Sequence, residues 1–125
     1  MASKVTKDTI KEFVWAAHGN LEKVQQMVEL QPDLLNLPHG KETAMGAACQ
    51  MRCTDIIEYL LSKGAPMDIS AACVLGLTDK VAEFLRTDPT LLTTGNIQSH
   101  GKKPLYFAEN QPEVLALLKS HEAAV

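Results

Sequence analysis

The stretch Thr43 to Asp68, T-A-M-G-A-A-C-Q-M-R-C-T-D-I-I-E-Y-L-L-S-K-G-A-P-M-D, decides how the rest of the chain is read. Thr43 is a good N-cap, because its hydroxyl can accept from a free amide of the first turn. Ala44 to Met51 then reads as a short helix of small residues, which allow a neighbouring helix to come close. Arg52 and Cys53 form a turn. Thr54 and Asp55 open a second helix with another cap-type start. Ile57, Leu60 and Leu61 fall at i, i+3 and i+4, one apolar helical face. Gly64 closes this helix and Pro66 prevents its resumption. The unit is two short helices joined by a tight turn.

Parts of the unit recur on either side. The motif V/I-x-x-big-big occurs at Val24/Met27/Val28, Ile57/Leu60/Leu61, Val81/Phe84/Leu85 and Val114/Leu117/Leu118. The step from Val24 to Ile57 equals the step from Val81 to Val114, and the step between them, from Ile57 to Val81, is shorter. A longer echo links the two halves of the chain. Gln31-Pro32-Asp33-Leu34-Leu35 matches Asp88-Pro89-Thr90-Leu91-Leu92, and Gly19 matches Gly76 at the same offset. The first and third units are thus more alike than neighbours are, as if a double unit had been duplicated.

This pattern resembles the ankyrin repeat family, whose period is near 33 with a T-P-L-H-x-A opening and a G-A-D-like close. Both equal steps of the motif match that period. Thr43-Ala44-Met45-Gly46-Ala47-Ala48 stands at the opening, and Lys103-Pro104-Leu105-Tyr106-Phe107-Ala108, preceded by Gly101, is a closer match. Gly64-Ala65-Pro66-Met67-Asp68 stands at the close. The resemblance runs from about Ile10 to about Leu118. Gly46 and Tyr106 replace the family's His, so its turn-bracing hydrogen bonds must be missing or replaced. The third repeat lacks its opening segment, which accounts for the short middle step. The fold expected is an all-α, ankyrin-repeat solenoid of about four helix-turn-helix repeats, the third shortened. It forms a single domain over 1–125, with repeats at about 5–37, 38–68, 69–93 and 94–125.

In chain order, helices are predicted over Val5 to His18, Leu21 to Leu30, Ala44 to Met51, Thr54 to Lys63, Ser70 to Leu75, Thr78 to Thr87, Pro104 to Ala108 and Pro112 to Lys119. Ile10, Phe13 and Ala17 give the first helix an apolar side while its lysines stay wet, as suits a terminal repeat. Asp88 to Lys102 is the longest connection, and His121 to Val125 is expected to fray. Little or no regular strand is expected.

Composition narrows the job. The chain has 125 residues, of which 46% are apolar but only 5% aromatic, and a formal charge of -3. Lys and Arg are scattered, which argues against nucleic acid, since phosphates need a basic face. Three Cys in no disulfide-framework spacing fit a reducing compartment. No apolar run approaches a membrane span. A cytoplasmic protein is expected, with no cofactor.

Several residues invite a chemical reading. Cys49 and Cys73 share one position with Ala16, so they read as small buried apolar residues rather than metal ligands. Zinc would need four ligands, and no C-x-x-C or H-x-x-x-H pair exists. His18 and His121 have no evident partner. No motif supplies nucleophile, base and oxyanion donor together, so no catalysis is expected. His39-Gly40-Lys41 and His100-Gly101-Lys102 repeat one tripeptide. Either they are wet turns needing Gly, or they form an edge that meets an acidic partner, more strongly below about pH 6.5. Trp15, the one Trp, stands where the next repeats have Ala48 and Ala72. It is expected to cover the open end of the core; the other reading is an exposed anchor.

The inner helices offer Ala17, Gln50, Met51, Val74 and Leu75, either as an adaptable apolar patch or as core. The resemblance implies protein–protein recognition through a concave surface of finger tips and inner helices. Carried onto this chain, that surface holds His39, Lys41, Met51, Val74, Leu75, His100 and Lys102. The expected partner is another protein, with the chain a monomer or weak homodimer. Two further classes stay open: a self-associating structural unit, and a small-ligand or metal-binding protein.

Overall fold

The computed structural model describes residues 5–94 and 103–123. Among these, the chain is all-helical. Its helices are α1 (Lys7–Ala16), α2 (Leu21–Leu30), α3 (Ala44–Gln50), α4 (Thr54–Ser62), α5 (Ile69–Leu75), α6 (Thr78–Thr87), α7 (Leu91–Thr94), α8 (Pro104–Phe107) and α9 (Pro112–Ala123). A 3-10 turn covers Pro32–Leu34. One isolated bridge, between His39 and Glu42, is the only β pairing among the described residues. No helix there is long and apolar enough to cross a membrane.

Short helices need their ends satisfied, and side chains do this at four starts. Thr6 accepts from the Thr9 amide at 3.1 Å, Asn20 from Lys23 at 3.1 Å, Thr43 from Gly46 at 3.1 Å, and Asp68 from Ala71 at 2.8 Å. Thr54 is not a cap. It lies inside α4, whose cap position is Cys53, without a side-chain bond.

Three helix ends close alike. The Cys53, Ala65 and Leu77 amides donate to the Ala48, Leu60 and Ala72 carbonyls at 2.9, 3.0 and 2.9 Å. This closure needs a left-handed residue just before the donor. Gly64 (φ 104°) and Gly76 (φ 74°) supply it at no steric cost, whereas Arg52 holds φ 53° despite its side chain.

The first helices of successive pairs touch in the order α1, α3, α5, α8, and each also packs on the second helix of its own pair. Val24, Ile57, Val81 and Val114, the leading residues of the recurring motif, are all fully buried. In α4 the two later positions exchange roles: Leu60 is buried and Leu61 only partly so, because Ile56 also turns inward. The buried side chains form one continuous core from Phe13 to Leu118. α9 continues through the segment expected to fray, as far as Ala123.

Candidate functional site

The connection before α3 carries the first predicted tip. His39 donates its amide to the Glu42 carbonyl at 2.8 Å, and Glu42 returns the bond at 3.1 Å. Gly40, at φ 64°, makes the turn between them. His39 and Lys41 are exposed. Between this tip and α1 lies an open groove of about 330 Å³ lined by Lys7, Ile10, Pro38, His39 and Gly40. Its floor is aliphatic and its charged lining is basic.

Glu42 turns the other way and is only 8% exposed. Its Oε1 lies 3.5 Å from Nε2 of His18. His18 Nδ1 sits 3.0 Å from the Val14 carbonyl and 3.2 Å from that of Trp15. A carbonyl can only accept, so Nδ1 carries the proton and Nε2 faces the carboxylate. His18, which has no evident partner in the sequence, therefore joins the end of α1 to the tip segment. Nothing local signals this contact, because α2 and the whole following connection separate the two residues along the chain.

The inner-helix surface differs from expectation. Ala44 to Cys49 of α3 and Ile69 to Val74 of α5 are buried without a break. Val74, expected on the binding face, is only 4% exposed, and Ala17 is fully buried. The lost opening segment of the third unit does not uncover α5, because α8 packs directly on it. Gln111 adds a bond from its Nε2 to the Val74 carbonyl at 2.9 Å. Met51 is 53% exposed and Leu75 is partly buried. Met51 lies at the far end of α3 from the His39 tip, about 12 Å along the axis. His39 and Lys41 thus form one patch and Met51 another. His100 and Lys102 lie outside the described residues.

A second constellation gathers where α3 and α8 end. The Arg52 guanidinium donates to the Tyr106 carbonyl and to Glu109 Oε2, the latter at 3.0 Å, and lies 4.8 Å from the centre of the Tyr106 ring. It straps the second helical pair to the fourth.

Trp15 does not cover the core. It is 64% exposed on α1, with Lys11 Nζ 5.6 Å from the ring centre. Beside it runs an open cleft of about 490 Å³, bordered by Asp8, Glu12 and Lys23 among others. Lys23 Nζ bonds Glu12 Oε1 at 2.6 Å, tying α2 to α1. Among the described residues no helix packs over the ring on this side of α1.

Cys49 and Cys73 are fully buried beside Asp68. Burial, and then the Asp68 charge, push the Cys73 thiol up to about 12 and that of Cys49 higher still. Burial likewise holds the Asp68 carboxyl above the usual carboxylate range, although the Ala71 and Ser70 amides pull it down. Its Oδ2 is buried without a hydrogen-bond partner. Cys53 is partly exposed, its thiol 3.7 Å from the His18 carbonyl. No group of three or more His, Cys, Asp or Glu able to hold a metal ion occurs among the described residues. Comparison of the chain with protein families, with curated proteins and with solved structures returns no match.

Proposed function

We propose that this chain is an ankyrin-like repeat array that recognises another protein, without catalysis, in a reducing, cytoplasmic setting. Support for the repeat reading comes from two independent directions. The sequence repeats its core motif in two equal steps separated by a shorter one. The first helices of the pairs touch in succession, each backed by its own second helix. Three free cysteines, two of them buried, suit the compartment.

The observation that carries the binding reading is the groove between α1 and the His39 tip. Ile10 and Pro38 offer an aliphatic floor, while Lys7 and His39 line it with basic groups and Lys41 is exposed beside His39 on the tip. Such a groove suits an extended or helical segment bearing an aliphatic anchor and acidic neighbours. The anchor would supply most of the affinity and the charges the orientation. Met51, at the other end of α3, is a second contact point for a partner long enough to span both.

The test is capture from lysate with wild type and with His39→Asp/Lys41→Glu, followed by titration of the purified captured protein. Loss of binding by the variant, at unchanged helical signal, is expected. Equal affinity for both proteins would remove the groove from the reading. Met51→Asp in the same titration reports whether the partner reaches the second patch.

A further inference from the structure

We infer that His18 is a proton-dependent clasp for the His39 tip: a second ring proton fastens the tip to the end of α1, and its loss lets the tip loosen. The clasp belongs to the free chain, while its bearing on recognition rests on the groove reading above. A groove that binds nothing leaves the clasp standing, and a clasp that does not respond to protons leaves the groove standing.

The first argument sets donors against acceptors. Nδ1 of His18 lies 3.0 Å from the Val14 carbonyl and 3.2 Å from that of Trp15, while Nε2 lies 3.5 Å from Glu42 Oε1. All three oxygens accept, and a neutral imidazole has a single N–H to give. With that proton on Nδ1, Nε2 meets the carboxylate with a lone pair. A second proton turns the same contact into a charged hydrogen-bonding pair, the stronger kind. The carbonyls hold the ring from its own side of the chain. The gain therefore falls on the contact that reaches the tip.

The second argument is where that contact ends. Glu42 is only 8% exposed, and its main chain exchanges both hydrogen bonds of the tip turn with His39. One residue thus joins the tip to the end of α1. The groove runs between these two walls, with Lys7 and Ile10 on one and Pro38, His39 and Gly40 on the other. Holding Glu42 makes His18 a positioning residue for that groove. The His18 side chain is 34% exposed, so protons reach it without unfolding.

Neighbouring charged and titratable groups are engaged elsewhere. His39 and Lys41 are exposed on the tip, while Glu42 turns inward. Lys23 of α2 bonds Glu12. Arg52, after α3, bonds Glu109. The Cys53 thiol meets the His18 carbonyl at 3.7 Å rather than the ring.

The test is amide exchange and ring-nitrogen NMR on the free, full chain. Exchange at the His39 and Glu42 amides, divided by that of an unstructured chain at the same pH, gives the closed-to-open ratio of the tip. The ratio should be about three- to tenfold higher at about pH 5.5 than at about pH 7.5, the span over which His changes charge. The neutral ring should carry its proton on Nδ1. His18→Gln should flatten the profile, because an amide does not titrate. Glu42→Gln should flatten it too, since its amide can turn either a donor or an acceptor to the ring. His39→Gln should keep the wild-type profile, which separates His18 from the other imidazole of the tip. An unchanged helical signal confirms that the variants fold, and each is compared with itself at the two pH values.

A wild-type ratio equal at both pH values overturns the inference, and this result needs no variant. So does a neutral ring protonated on Nε2, a profile that survives His18→Gln or Glu42→Gln, or one that disappears in His39→Gln.

Discussion

Replacing Gly76 by alanine separates two costs that usually arrive together. Gly76 holds φ 74°, where an L side chain costs about 1–2 kcal/mol. A Cβ built there would also lie 2.5 Å from Oε1 and 2.9 Å from Cδ of Gln111. A free glutamine could swing aside cheaply. This one is held by its bond from Nε2 to the Val74 carbonyl, so moving it forfeits about 0.5–1.5 kcal/mol. The expected total is about 1.5–3.5 kcal/mol. Gly40 is the control: it has φ 64° with nothing within 4 Å of its Cβ position, so Gly40→Ala should cost the backbone part alone. Urea unfolding at constant m-value gives both figures. In a Gln111→Ala background, Gly76→Ala should fall to the Gly40→Ala value. If Gly76→Ala costs no more than Gly40→Ala in the wild type, or if Gln111→Ala leaves its cost unchanged, the argument about Gln111 is wrong.

Other outcomes follow from features described above. Thr43→Ala should lose about 1 kcal/mol with its cap, while Thr54→Ala changes thermal stability little; equal losses would contradict the assignment of Cys53 as the cap position. Asp68→Asn keeps an acceptor for the Ala71 amide and removes a buried carboxylate. The folded pKa of Asp68 is raised, so its favourable contribution is full below the usual carboxylate range and is lost as pH rises through the folded value. Asp68→Asn should therefore raise the melting temperature at pH 7 and lose that advantage below about pH 4; a variant less stable at pH 7 would refute the sign. A thiol reagent at pH 8 should label Cys53 quickly, and Cys49 and Cys73 only as the fold opens. Three equal rates would mean that the two buried thiols are not protected.

What could be read in advance depended on whether a residue's role was decided locally. α2 and α6 fall at their predicted bounds, because the recurring motif sits on an otherwise polar helix and marks one face. α5 carried no such mark. Ile69 to Leu75 has Ser70 as its only polar residue, so nothing in the segment distinguishes a buried side from a wet one. Val74 was misplaced for that reason, and its cover comes from α8 and Gln111, far later in the chain. The 3-10 turn at Pro32–Leu34 and α7 at Leu91–Thr94 lie in segments read as connections. The echo between them showed that the two were alike but not that both were helical. Within the candidate site, the exposure of His39 and Lys41 followed from turn chemistry, whereas Met51 was open between an exposed patch and the core and is 53% exposed. The uncovered ring of Trp15 did not follow, because its exposure depends on what packs beside α1.

The Arg52 strap alters how this molecule can come apart. Where each helical pair touches only the next, opening begins at an end, and the last pair can detach at little cost to the others. Here the guanidinium grips the Tyr106 carbonyl and Glu109 from the end of α3, although α4, α5, α6 and α7 intervene along the chain. Releasing α8 and α9 therefore also frees the turn after α3, whose Arg52 then keeps a strained φ with none of these contacts to hold it. Exchange of the amides in α8 and in that turn should report a single opening event. The C-terminal half and the centre would then behave as one cooperative unit, leaving α1 and α2 as the end that frays.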